Sequence, residues 1–125
     1  MSKTAMQMVA EAQASVTAIS PADAKPLIAA GAVVLDIRDS SEIAASGKVK
    51  GALAINRGLL EFKADSTLPS HEPALQKDRT VILYCASGGR AWLAGKTLKD
   101  MGFTDVRNMG GFKGWVEAGG DVEKT

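Results

Sequence analysis

The run Val81-Ile82-Leu83-Tyr84, followed at once by Cys85-Ala86-Ser87-Gly88-Gly89-Arg90, restricts the chain more than any other segment. A bulky run with no polar alternation suits a strand covered on both faces, as in a parallel sheet. Gly88 and Gly89 then permit a tight reversal through backbone dihedrals that other residues avoid. Beyond them Ala91, Leu93, Ala94, Leu98 and Met101 recur at helical spacing as far as Gly102. Strand, loop and helix in that order place Cys85 at the carboxyl end of a strand, where open parallel sheets bind ligands.

The same alternation runs along the rest of the chain. Residues 4–14 carry apolar positions at helical spacing, and a short strand is expected at Val16–Ile19. Ser20-Pro21 opens a helix to about Ala30, with Gly31 as its stop. Ala32–Ile37 reads as a buried strand, and Ser40 or Ser41 as the cap of a short helix ended by Gly47. A strand at Ala52–Ile55, a helix at Gly58–Ala64 and a polar loop between Asp65 and Asp78 come next. The chain closes with a strand at Thr104–Arg107 and a helix at Gly111–Ala118. Such alternation predicts an α/β fold with a mainly parallel sheet flanked by helices.

With 125 residues and no linker rich in Gly, Ser or Pro, the expectation is one domain over 1–125, with residues 1–15 as a helical extension and 16–122 as the core. The net charge of +1 supplies no basic surface for nucleic acid, and no apolar run approaches a membrane span. Residues 1–16 lack the unbroken apolar stretch of a signal peptide, which leads to a cytoplasmic expectation. The single cysteine rules out an intramolecular disulfide and the Cys-x-x-Cys redox and zinc motifs. His71 is the single histidine, so no metal and no cofactor are expected.

What remains is the chemistry of one thiol. Amide donors at a helix start attract negative charge through unpaired N–H groups and the helix dipole. A cysteine at their centre is held as its thiolate, the nucleophilic form. Added sulfur would give Cys–S–S⁻, with its charge on the same amides and no histidine base required.

These residues resemble a rhodanese domain over nearly all of Ile19 to Val122. The loop matches Cys-x-x-Gly-x-Arg at Cys85, Gly88 and Arg90. Upstream, Asp36, Arg38 and Glu42 match Asp-x-Arg-x-x-x-Glu, followed by Gly47 and Gly51-Ala52. Downstream, Gly110-Gly111-Phe112-Lys113-Gly114-Trp115 is similar to the closing Gly-Gly-x-x-x-Trp. The resemblance implies a five-stranded, mainly parallel sheet with helices on both faces. It also implies a thiosulfate sulfurtransferase: Cys85 takes a sulfane sulfur from a small anionic donor and passes it to cyanide, a thiol or a protein acceptor.

Roles follow by position. Cys85 is the expected nucleophile, and the amides of Ala86, Ser87, Gly88, Gly89 and Arg90 are expected to hold the persulfide and the donor's oxyanion. Arg90 is expected to tie the loop down through its carbonyls or to add positive field. Asp36, Arg38 and Glu42 form an outer layer, with an Arg38–Glu42 ion pair across four residues and Asp36 bonded to loop amides or neighbouring backbone. Lys48 stands where the family carries histidine and Ala91 where it often carries serine; Lys48 is expected to be a solvated charge. Met6, Met8, Leu59, Leu60 and Phe62 are expected to pack, as are Trp92 and Trp115. Two other readings use the same loop. One is a carrier that holds a persulfide without turnover, or a module that binds protein partners. The other is a Cys-Arg phosphatase or arsenate reductase, which needs five residues between cysteine and arginine where this chain has four, Ala86 to Gly89.

Overall fold

The computed structural model describes residues 2–124. In chain order the elements are α1 (Ala5–Gln13), β1 (Thr17–Ala18), α2 (Pro21–Ala29), β2 (Val33–Asp36), α3 (Ser40–Ser46), β3 (Lys48–Val49) and β4 (Leu53–Ala54). A 3-10 turn at Arg57–Leu59 leads into α4 (Leu60–Ala64), then β5 (Thr80–Cys85), α5 (Gly89–Asp100), β6 (Asp105–Gly111), α6 (Phe112–Glu117) and β7 (Val122–Glu123). Five strands form one parallel sheet in the order β1-β6-β5-β2-β4, which puts β5 at its centre.

Alternation along β5 divides the core. Val81, Leu83 and Cys85 face a layer with Leu35, Ile37, Val106, Leu60 and the α5 residues Ala91, Ala94 and Leu98. Ile82 and Tyr84 face the other way, onto Val34, Ala24, Met109, Phe112 and Trp115 from β2, α2, β6 and α6. Both faces are therefore covered, which is why Val33–Leu35 and Val81–Tyr84 run without polar alternation. The cysteine lies on the α5 side. α1 packs along α5 through Val9 and Ala12.

Several expectations change in the folded chain. β6 runs four residues beyond Arg107, through Asn108, Met109 and both glycines. β3 and β7 pair as a small antiparallel ribbon that the sequence pattern did not disclose, since each is only two residues long. α3 is preceded by Asp39 as its N-cap rather than Ser40 or Ser41, and the Glu42 carboxylate accepts the Asp39 N–H. Met6, Met8, Leu59 and Phe62 are exposed, and of the five residues expected to pack only Leu60 is buried. On helices this short, one turn cannot present every apolar side chain inward. Trp115 is buried against the sheet and Trp92 packs partly on the core.

Candidate active site

Cys85 ends β5 with no exposed surface, and its Sγ accepts a hydrogen bond from the Gly88 N–H at 2.9 Å. Gly88 makes this reach because its φ is +101°, a left-handed conformation that a side chain disfavours. α5 starts at the next residue. The Gly89 and Arg90 N–H groups, its first two, have no acceptor among the described residues. A Cβ placed on Gly89 would meet no atom within 4 Å, so the space beside the first residue of α5 is open. Of the expected amide donors, the Gly88 N–H is bonded to the buried sulfur, and the Gly89 and Arg90 N–H groups open the helix that follows, an end that favours negative charge.

β6 supplies the other wall. The register with β5 slips between Leu83 and Cys85: Leu83 lies opposite Asn108, but Cys85 lies opposite Gly111. The extra residue is a bulge beside the cysteine, and bulges re-aim nearby side chains. A Cβ on Gly111 would overlap the Ala86 carbonyl oxygen, so the loop backbone rests directly on this glycine. Asn108, almost wholly buried, donates from Nδ2 to the Gly88 carbonyl at 3.1 Å and accepts from the Gly110 N–H at 2.7 Å. It pins the cysteine loop to the sheet, and reading the sequence did not single it out. Its signal was available: Asn108 shares the inward side of the strand with Val106, and a polar residue at an inward position needs partners.

The outer residues are wired differently from expectation. Arg38 does not pair with Glu42. It precedes α3 rather than lying within it, so the i,i+4 geometry of a helix does not apply. Its guanidinium turns inward and pairs with Asp36, Nη2 to Oδ2 at 2.7 Å, and also donates to the Gly47 carbonyl and to Ser46 Oγ. It lies 4.5 Å over the Phe112 ring. Asp36 accepts from the Arg38 N–H and from the Tyr84 hydroxyl, and makes no bond to the cysteine loop. Tyr84 in turn accepts the Val49 N–H at 3.0 Å. Burial, followed by the bond to Asp36, pushes the Tyr84 phenol far above its ordinary range. The hydrogen bond to Asp36 likewise raises Arg38.

Glu42 instead reaches Arg90, in a two-pronged pair with Nη1–Oε1 at 2.8 Å and Nη2–Oε2 at 3.0 Å. Arg90 therefore ties α5 to α3 and does not bond the loop carbonyls. The Arg90 hydrogen bonds are the main reason the Glu42 carboxyl is lowered to about 2, and the same contact raises Arg90. Lys48 is largely enclosed rather than solvated: it donates to the Ala52 carbonyl and pairs with Glu123 at 3.0 Å, closing the β3–β7 ribbon. Arg57 pairs with Glu61 and donates to Thr97 on α5. His71 Nε2 lies 2.9 Å from the Leu75 carbonyl, inside the 65–78 loop. Glu42 through Arg90, and Gly111 through its contact with the Ala86 carbonyl, bring residues of the second and third motifs to the cysteine loop.

A model of the rhodanese-like domain matches residues 20–118. The chain belongs to the rhodanese-like family. Thiosulfate sulfurtransferase GlpE of Pseudomonas entomophila is 34% identical over 99 residues, 78% of this chain and 82% of that protein. The polysulfide-sulfur transferase homodimer of Wolinella succinogenes superposes with a TM-score of 0.75 at 32% identity, over 94% of this chain and 85% of that one. A Rhodopseudomonas palustris protein of unknown function, described as a possible tyrosine phosphatase, superposes with a TM-score of 0.89 at 39% identity. That match covers 98% of this chain and 96% of the other. The rhodanese fold expected from the motifs, a parallel five-stranded sheet between helices, is the fold observed.

Proposed function

We propose that this rhodanese-like protein is a sulfurtransferase that carries a sulfane sulfur as a Cys85 persulfide, with thiosulfate as donor and a thiol or cyanide as acceptor. The observation that supports it best is the buried Cys85 sulfur bonded by the Gly88 N–H, immediately before a helix whose first two N–H groups have no acceptor among the described residues. In the first half-reaction the Cys85 thiolate attacks the outer sulfur of thiosulfate. A Cys85–sulfur bond forms, the donor's S–S bond breaks, and sulfite leaves with the bonding pair. The persulfide's terminal charge then rests on the amides of the cradle. In the second half an acceptor thiolate attacks that terminal sulfur, takes it as its own persulfide and returns Cys85 as the thiolate. Cyanide would leave as thiocyanate.

Arg90 has a bearing on the phosphatase reading that the Rhodopseudomonas neighbour suggests. Phosphoryl chemistry on a Cys-Arg loop wants a guanidinium free to grip the phosphate oxygens. Here both Nη atoms are engaged by Glu42, and the loop has four residues between cysteine and arginine instead of five. Both features suit a single sulfur atom better than a tetrahedral phosphoryl group. The donor meets only the small uncharged side chains Ala86 and Ser87 at the loop. No described helix is long and apolar enough to cross a membrane. We place the reaction in the cytoplasm, where thiols serve as acceptors.

Intact-mass measurement after thiosulfate and then after cyanide tests the reading, with Cys85→Ser as control. A gain of about 32 Da on the wild type only, removed by cyanide, is the expected result. Hydrolysis of an aryl phosphate with no sulfur uptake would overturn it. A persulfide that forms but is never passed to small acceptors would make the protein a carrier.

A further inference from the structure

We propose that Asn108 is a positioning residue for the sulfur cradle: it holds the Gly88 carbonyl toward β6 and so aims the Gly89 N–H at the sulfur borne by Cys85. The inference rests on the sulfurtransferase reading above. In a trans peptide the C=O and the following N–H point in opposite directions, and no described peptide bond is cis. The Gly88 carbonyl accepts two donors, the Trp92 N–H from α5 at 3.0 Å and Asn108 Nδ2 from β6 at 3.1 Å. The first belongs to the helix and moves with it. The second is anchored in the sheet that also carries Cys85, so it sets the peptide's tilt relative to the sulfur.

Asn108 is well placed to be rigid. Its Oδ1 accepts the Gly110 N–H at 2.7 Å, and its own carbonyl accepts the Ile19 N–H. Backbone and side chain are thereby both fixed, and the side chain is almost wholly buried. Gly110, at φ +93°, turns the chain so that this N–H faces back to the side chain. A Cβ on Gly88 would sit 3.5 Å from the Gly110 Cα, so loop and bulge are in contact at the point Asn108 bridges. The amide therefore serves one donor and one acceptor at once, the Gly110 N–H in the bulge and the Gly88 carbonyl in the cradle, and touches no reacting atom.

The test compares backbone amide spectra of the full chain in wild type, Asn108→Asp and Asn108→Ala as pH is raised and Cys85 becomes a thiolate. The Asp variant keeps an acceptor for Gly110 and loses the donor to Gly88; the Ala variant loses both without adding charge. In wild type the Gly88 and Gly89 amide protons are expected to move downfield together. In both variants the Gly89 response is expected to fall away while Gly88 keeps its own, and persulfide formation from thiosulfate slows about 10-fold. The Trp92 bond to Gly88 persists, so α5 is retained, and the near-isosteric Asp variant carries the test should Ala fail to fold. An equal Gly89 response in all three proteins, or none in wild type, would overturn the proposal. A wild type that takes up no sulfur from thiosulfate or polysulfide defeats the sulfurtransferase reading alone, because the amide responses still decide the role of Asn108.

Discussion

Gly88 and Gly89 are adjacent and chemically identical, yet they answer to different constraints. Gly88 sits at φ +101° with the Gly110 backbone close by, so a methyl group there is strained whatever space it finds. Gly88→Ala is expected to lower stability by about 1–2 kcal/mol, read as a shifted urea midpoint at constant slope. Gly89 has an ordinary dihedral and open space beside it. Gly89→Ala is expected to leave stability within about 0.5 kcal/mol of wild type. Its methyl is expected to narrow the open space beside the loop and to slow sulfur loading from thiosulfate. Unchanged loading in that variant would mean that the donor approaches from another direction. The sequence motif shows two glycines in a row; which one serves the backbone and which one the substrate depends on dihedrals that only the folded loop defines.

At the scale of elements, the clasp between α3 and α5 is the contact that most rearranges the sequence reading. Glu42 was expected to pair with Arg38; it caps its own helix at the Asp39 N–H and holds the first turn of α5 through Arg90. A carboxyl lowered to about 2 from an ordinary 4.5 stabilises the fold fully above pH 4.5. That contribution is lost as pH falls through about 2. Partial exposure of both side chains and solvent screening keep it modest, on the order of 1 kcal/mol. Glu42→Gln is expected to flatten the acid limb of the stability profile between pH 4.5 and 2, measured by thermal melts. An acid limb identical to wild type would show that α3 and α5 are held together by apolar packing alone. The short β3–β7 ribbon belongs to the same scale. Lys48 and Glu123 close it across 75 positions, and no local pattern in two-residue strands announces such a partner.

Across the whole molecule the two faces of the sheet have separate tasks. Cys85, Asn108 and α5 occupy one side, while the Asp36–Arg38–Tyr84 network lies with Phe112 and Trp115 on the other. Tyr84→Phe removes the hydroxyl between Asp36 and the Val49 N–H, leaving a buried donor without its acceptor. The expected cost is about 1–3 kcal/mol in chemical denaturation. The rate of persulfide formation should stay near wild type; a rate that fell without loss of stability would connect this network to the reaction. The amino-acid sequence by itself determined the α/β alternation, the central strand and the place of Cys85 at its carboxyl end, because apolar runs, glycine pairs and helix caps act over a few residues. It could not decide who pairs with whom. Arg38 with Asp36, Glu42 with Arg90, and Asn108 with Gly88 are settled by strand register, by the bulge in β6 and by the approach of α3 to α5. Hydrogen bonds act over about 3 Å, and only the packed sheet brings those groups within reach.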